Sequence, residues 1–562
     1  MKPQAAPAPR LDARCLRRAL GILAAALVLR VVYYLLIRRT ACLDINMDPI
    51  SDMETFHRWA LTIVNGDWLG RGDFHPFHPW QAAVAAKEQW ARWYGHVYHQ
   101  EPLYPYLVAL VYLVAPRVPS SMILFQLAAG AAGCAFTYLA ARRLAPEGAA
   151  LAAGVMSALY GPYIYYESLL LRDSWLIPLQ AAMLWVVLEA RARGGADGGR
   201  WWLAGGLLMG LSFITKASVL PFALLLILGT LWEERRGAAA AGGVSGRGSL
   251  AMTIGFLAVF FPVAARNLAV GAPVTKITTR GPIEFINGNN PWHIGIGWFD
   301  GDDQRVSRYA HDVLARSDGR LAPTVTAVVR NWSGRYTGLI GLQLTKLGYF
   351  FAPFEMPNNA SYSYFRLNSA LLRRATLSFF WISPLALLGL IESFRRPEPF
   401  APVYLFIVCG VATTIAFYVI ARFRAPFMPA ILIFAGLGLW SLATSARRGA
   451  WGRIAASGAL AVALFAVNTA KTFPDEDLVR PQDFLISIQG YLTRGMTPEA
   501  LREAERGRDL FPALADFPRA AARIHLAQGR RAEALAAYRE TLARDPSDEE
   551  ARRQVQWLES PP

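Results

Sequence analysis

Hydrophobic and polar positions divide this chain into long apolar blocks, short basic connectors, two longer polar stretches rich in aromatics, and a polar tail. Apolar runs near the ~20 residues needed to cross ~30 Å of hydrocarbon recur at 19–37, 121–141, 148–166, 174–190, 202–215, 218–232, 249–267, 375–391, 400–420, 425–443 and 454–470. The pattern predicts a mostly α, polytopic membrane protein of about eleven transmembrane helices. Residues 102–118 (PLYPYLVALVYLVAPRV) are apolar but short and proline-rich. They predict an interfacial or re-entrant helix.

The connectors set the expected topology. Arg14, Arg17 and Arg18 precede the first span, so residues 1–18 are expected in the cytoplasm. The first span carries no convincing small-residue cleavage site and reads as an uncleaved anchor. Leaving 102–118 uncrossed brings Arg142, Arg143, Arg191, Arg193, Arg200, Arg235, Arg236, Arg395, Arg396, Arg447 and Arg448 to the inner side. Residues 19–470 then form the transmembrane domain, with long outer loops at 38–120 and 268–374. After a linker at 471–484, residues 485–562 turn polar and helical and repeat with a period of 34: Leu492, Gly495, Glu499, Ala500, Leu501 and Pro512 return as Leu526, Gly529, Glu533, Ala534, Leu535 and Pro546. The period and the segment LAQGRRAEALAAYRETLARDPSDEEAR predict tetratricopeptide-like helix pairs on the outer side, open to a protein partner.

Composition refines this picture. The chain is 54% hydrophobic and 17% charged, with a mean hydropathy of +0.26, too greasy for an ordinary soluble enzyme. A net charge of +16 would suggest nucleic acid in a soluble protein; here the basic residues fall in short loops, so it reads as a topology signal, with lipid headgroups and lipid phosphates as partners and no nucleic acid. Cys15, Cys42, Cys134 and Cys409 are scattered, with no disulfide framework or paired metal spacing. High Ala, Arg and Gly point to a bacterial inner membrane with a periplasmic tail.

Chemistry-bearing residues collect in the outer stretches. Asp48, Asp52 and Glu54 follow the first span, where a carboxylate can take a proton from an acceptor hydroxyl or amine; the plain alternative is a solvated helix start capped by Asp52. Glu167 ends an aromatic run, Tyr160–Glu167, and is followed by Arg172 and Asp173. Asn287, Asn289 and Asn290 lie in RGPIEFINGNNP, and Glu355 and Asn358 in an apolar setting at KLGYFFAPFEMPNN; these predict a substrate loop or simple turns. Arg422 and Arg424 (RFRAPFMP) defy the inside bias at an outer boundary and suit a lipid phosphate, or are snorkelling side chains. The 38–101 loop holds five of the eight histidines, but His75 and His78 flank a proline and His96 and His99 lack an evident carboxylate, so a metal site is disfavoured.

The ordered set SDMETFHRWA, EPLYPYLVALVY, YGPYIYYESLL, EFINGNNP, FEMPNN and RFRAPFMP resembles the GT-C superfamily of integral-membrane glycosyltransferases. Within it, the chain is most similar to the bacterial branch related to protein mannosyltransferases and aminoarabinose transferases, with C-terminal tetratricopeptide repeats. The resemblance implies an inverting transfer from a polyprenyl-phosphate-linked sugar to a protein, lipid or glycan acceptor at the outer face. It implies Asp52 as general base, with the role of Glu54 open because Met53 separates the pair. Glu167 or Asp173 would be the second acid, with Glu167 slightly favoured. Arg422 and Arg424, with Lys216 or Arg280, would hold the donor phosphate. It leaves a divalent metal open. An oligosaccharide ligase or polymerase, a transporter and a membrane scaffold are the competing readings.

Overall fold

A computed structural model describes residues 12–72, 75–193, 195–236, 247–297, 303–470 and 478–560. Residues 1–11 of the expected cytoplasmic stretch and 471–477 of the expected linker lie outside the described residues. There is no strand among the described residues, and the architecture is helical throughout. The chain forms two compact units. One gathers the chain up to Val31, Asp52–Asn358 and Thr376–Thr472; the other gathers Val32–Ser51, Asn359–Ala375 and the chain from Phe473 on.

Among the described residues, seven helices are long and apolar enough to cross a membrane, including Pro119–Leu144, Arg172–Ala192, Gly248–Ala269 and the stretch Ala421–Arg447. Four shorter apolar helices join them. One is Leu103–Val114, whose 12 residues rise only ~18 Å, well short of the hydrocarbon thickness. The eleven predicted spans all fall on helices, but one of them is broken and two are shorter than predicted. The 148–166 span breaks at Tyr160 into Glu147–Leu159 and Gly161–Glu167, because Pro162 removes a backbone donor. The break is stitched by a distant residue: the Leu377 N–H donates to the Leu159 carbonyl at 2.7 Å, and the Leu377 carbonyl accepts from Gly161 N–H at 2.8 Å. This use of Leu377 also delays the 375–391 span, whose helix starts at Phe379. The 400–420 span ends at Ala416. There Lys346 Nζ donates to the carbonyls of Ile415 and Phe417, and Asn289 Nδ2 to that of Ala416, filling acceptors that a helix end leaves open. Gly288 makes the approach possible, since a Cβ there would sit 1.7 Å from the Phe417 oxygen.

The second unit is built on five helices: Pro481–Thr493, Thr497–Leu510, Asp516–Ala527, Arg531–Arg544 and Glu549–Glu559. The 34-residue period places the second pair of helices one repeat after the first. Gly495 and Gly529 turn at φ of 71° and 74°, and Ala500 and Ala534 are fully buried at equivalent positions. The unit also reaches beyond 485–562. Arg494 forks onto Asp44 at 2.8 and 2.7 Å, Arg480 lies 3.6 Å from Asp48, and Tyr364 donates to Glu503 at 2.7 Å. Two segments distant in sequence thus cover the first repeat helices, whose faces would otherwise lack a neighbour. Asp48, which the sequence groups with Asp52, belongs to this unit.

Asp483 is fully buried in the same unit, accepting from Ser361 N–H at 2.9 Å with Arg480 3.7 Å away. Burial pushes its carboxyl up to about 6 despite Arg480. A raised carboxyl favours the folded state below its unfolded value of 3.8 and loses that contribution as pH rises through about 6. Asp483→Asn keeps the acceptor oxygen and removes the titration. Thermal unfolding of the full chain in detergent should show the variant gaining on wild type between pH 4.5 and pH 7; a constant difference across that window would contradict this.

Candidate active site

The charged cluster grows from places where helices stop. Asp52 opens the helix Asp52–Val64, and Asp173 lies in the first turn of Arg172–Ala192. The backbone before Arg172 is irregular, and its open carbonyls are filled: Gln126 Nε2 donates to Glu167 and Leu169 oxygens at 2.9 Å each, and Ser174 Oγ to those of Tyr166 and Leu169. Lys216 occupies the single break between the helix ending at Thr215 and the turn at Ala217. Arg422 sits in a 3₁₀ turn, Ala421–Phe423, ahead of Met428–Arg447.

These four residues meet. Arg422 Nη2 donates to Asp52 Oδ2 at 2.8 Å, and Gln100 Nε2 donates to Asp52 Oδ1 at 3.0 Å. Lys216 Nζ donates to Asp173 Oδ1 at 2.8 Å and lies 3.5 Å from the centre of the Phe423 ring. Arg422 Nε is 3.9 Å from Asp173 Oδ2, and neither of those two buried atoms makes a hydrogen bond. One guanidinium therefore stands between two carboxylates. Burial lowers the Lys216 ammonium to about 8 against the pull of Asp173. Beside them Arg172 is paired with Glu101, whose other oxygen accepts from Ala217 N–H at 3.0 Å, and Arg280 pairs with Glu284 at 3.3 Å.

Lys216, Lys276, Arg172 and Arg280, with Glu101 and Glu284, line a cavity of about 480 Å³, whose wall is otherwise largely apolar and includes Leu220, Pro221, Phe417 and Phe427. A cationic rim on an apolar wall suits an amphiphile with an anionic head. Sequence reading passed over Gln100 and gave Glu101, Arg172 and Glu284 only as parts of motifs, without a role in the site. The signal for Glu101 was its place at the head of EPLYPY; for Gln100 there was none.

Other candidates are used elsewhere. Glu167 is fully buried and accepts from Arg30 Nε and Nη2 at 2.6 and 2.8 Å, so Asp173, not Glu167, is the acid that shares Arg422 with Asp52. Glu54 pairs with Arg58 one turn along its own helix. Arg424 is spent on the carbonyls of Phe350 and Ala352 and on Glu355 at 2.6 Å, over the Phe379 ring; it is not part of the cavity rim. Glu355 takes a second bond from Tyr166. Asn289 holds Lys346, Gln343 and the Ala416 carbonyl, and Asn290 caps its own helix through Asn287 O and Trp292 N–H. Asn287 is fully buried beside them, and Asn358 closes the first unit's long segment without a bond at Oδ1. Asn289 and Asn290 thus build a helix junction, and none of the three asparagines lines the cavity.

Among the described residues no three His, Cys, Asp or Glu side chains gather as metal ligands. Asp52 and Asp173 already face Arg422 and Lys216, and fixed cations at those oxygens do not fit a divalent ion.

Residues 99–265 match the family model described as dolichyl-phosphate-mannose-protein mannosyltransferase. That segment, under a third of the chain, carries Gln100, Glu101, Asp173 and Lys216. No curated protein matches the chain. Among solved structures it is similar to the Archaeoglobus fulgidus oligosaccharyltransferase in the apo form (14% identity, TM-score 0.45, 85% of this chain and 56% of that one). It is also similar to the same organism's oligosaccharyltransferase AglB with an inhibitory peptide and a dolichol-phosphate (14%, 0.41, 84% and 56%). The chain spans a little over half the length of these proteins, and likenesses at this level carry no argument about activity.

The Arg30–Glu167 pair yields a test. Glu167→Gln strands a buried guanidinium and should cost about 3–5 kcal/mol. Arg30→Met with Glu167→Gln should recover much of that loss in thermal unfolding, as expected of a structural pair; an unfolding temperature unchanged by Glu167→Gln would reject the assignment.

Proposed function

We propose that the protein transfers a sugar from a polyprenyl-phosphate carrier to an acceptor hydroxyl or amine at the outer face of a bacterial inner membrane, with Asp52 as general base. The observation that carries this is the linked set Asp52–Arg422–Asp173–Lys216, whose Lys216 lines a cavity with a cationic rim and a largely apolar wall. The family matched by residues 99–265, dolichyl-phosphate-mannose-protein mannosyltransferase, agrees with it. The positive-inside reading of the loops supports the outer placement, with the N-terminus cytoplasmic and the repeats periplasmic.

The donor phosphate lies at Lys216 and Arg422, with Arg280 on the rim, and its prenyl chain follows the apolar wall. A carboxylate gripped by a guanidinium accepts protons poorly. Phosphate arriving at Arg422 competes for that grip and releases Asp52. Asp52 then takes the acceptor proton as the acceptor atom bonds to the anomeric carbon from the face opposite the phosphate. The bond from that carbon to the phosphate oxygen breaks, and its electron pair leaves with the polyprenyl phosphate, giving inversion. Arg422 and Lys216 stabilise the charge that develops on the leaving phosphate. Asp173 holds both cations in place.

Transfer of labelled sugar from synthetic polyprenyl-phosphate donors by purified protein tests this. Asp52→Asn should lower turnover by roughly 10²–10⁴-fold with donor binding retained. Full activity in that variant, or transfer only from a diphosphate-linked glycan, would overturn the reading. Lys216 must be charged to hold phosphate, so kcat/KM for the donor should fall as pH rises through about 8. Lys216→Arg should remove that alkaline limb; a limb unchanged in the variant would assign it to another group.

A further inference from the structure

A second cavity, of about 280 Å³, lies in the first outer segment and is lined by Trp59, Phe77, Trp90, Tyr94 and Tyr98 together with Gln81, His75 and His99. Its size is just below the ~300–1,000 Å³ of drug-sized sites, the scale of a single small ring. One polar atom in its wall, His99 Nδ1, lacks a hydrogen-bond partner, and the Gln81 side-chain amide and the Tyr94 hydroxyl have only each other there. His99 is 97% buried by its 3% exposure, and Gln81 is fully buried. Burial holds the His99 ring neutral, far below its ordinary range, so its Nδ1 is available as a donor or an acceptor rather than as a charge. Buried polar atoms are seldom left unpaired without a ligand or water to meet them.

The cavity is tied to the candidate base. Trp59 lies on the helix that Asp52 opens, two turns along. His99 lines this cavity, Gln100 holds Asp52, and Glu101 lines the larger cavity with the cationic rim. Three consecutive residues thus connect the two cavities through the Asp52 carboxylate.

We infer that this aromatic cavity binds a pyranose-sized carbohydrate ring, whose faces pack on its aromatic walls and whose hydroxyls meet His99, Gln81 and Tyr94. Sugar C–H faces stack on aromatic rings, and hydroxyls both donate and accept, which matches a neutral imidazole, an amide and a phenol in one wall. Of the wall's cations, Arg71, Lys87 and Arg266, the last is already committed to the carbonyls of Leu69, Gly70 and His96. The inference rests on the transferase reading only for the ring's source, which is either the acceptor or the donor's own sugar.

The test is saturation-transfer NMR of the full chain in detergent with methyl glycosides of mannose, glucose and galactose, followed by inhibition kinetics. At least one glycoside should bind wild type and Asp52→Asn alike. Binding should fall at least tenfold in His99→Ala and in Phe77→Ala; Phe77 is 40% exposed, so its truncation leaves the fold intact. Competition against the acceptor would assign the ring to the acceptor, and competition against the donor to the donor. Binding of no glycoside, or binding unchanged in both variants, overturns the inference. The two readings fail separately. Glycoside binding lost in these variants, with no transfer by wild type from any polyprenyl-phosphate donor, would keep the cavity and reject the transferase; transfer with normal glycoside binding in both variants would do the reverse.

Discussion

The rest of the structure depends on one constraint: within hydrocarbon, every backbone group freed by a helix break must find a partner in the protein, at a cost of several kcal/mol if it does not. The first unit meets it at three such breaks. Leu377 serves both sides of the Tyr160 break, Gln126 and Ser174 serve the carbonyls from Tyr166 to Leu169, and Lys346 with Asn289 serves Ile415, Ala416 and Phe417. The candidate chemistry lies at the same places. Asp173 follows the second break by a few residues, Lys216 is itself a break, and Arg422 follows the end of the helix Ala401–Ala416. Irregular backbone frees side chains to point away from a helix's packed faces, and only a backbone already satisfied can hold them there.

The constraint also explains what the sequence made legible. Helix positions followed from apolar runs because each span satisfies its own backbone. The repeat pairs followed from a 34-residue period marked by glycines that must turn at positive φ and alanines that must be buried. Long-range use was not legible. Leu377 looks like any apolar residue. Asn287, Asn289 and Asn290 read as a turn or substrate loop because side-chain amides serve a ligand and a helix end with the same atoms, and local spacing does not distinguish the two. Glu167 and Asp173 were left open for a similar reason: both are acids near one boundary, and the choice was made by an arginine 137 positions earlier in the chain than Glu167. Arg30 lies inside the first apolar run, where a charge is costly enough to demand a partner. That demand was the missed signal.

The divided fate of Arg422 and Arg424 shows how fine the local decision is. Both belong to one short motif, and both are planar forks suited to oxygen anions. In 3₁₀ geometry each residue advances ~120° about the axis, so side chains two positions apart diverge by ~240°. Arg422 turns toward Asp52 and Asp173, while Arg424 turns to Glu355 and two carbonyls at the end of the helix Tyr336–Phe350. Three partners consume most of the donors of Arg424 and fix the turn. Arg422 has only one short contact, and its Nε faces a carboxylate oxygen too distant to bond. The first arginine is thus held in position by the second while keeping donor capacity unspent. A lysine at 422, a single point charge, would satisfy one carboxylate and lose reach to the other; the fork lets one side chain span two acids and still offer an edge to a third anion.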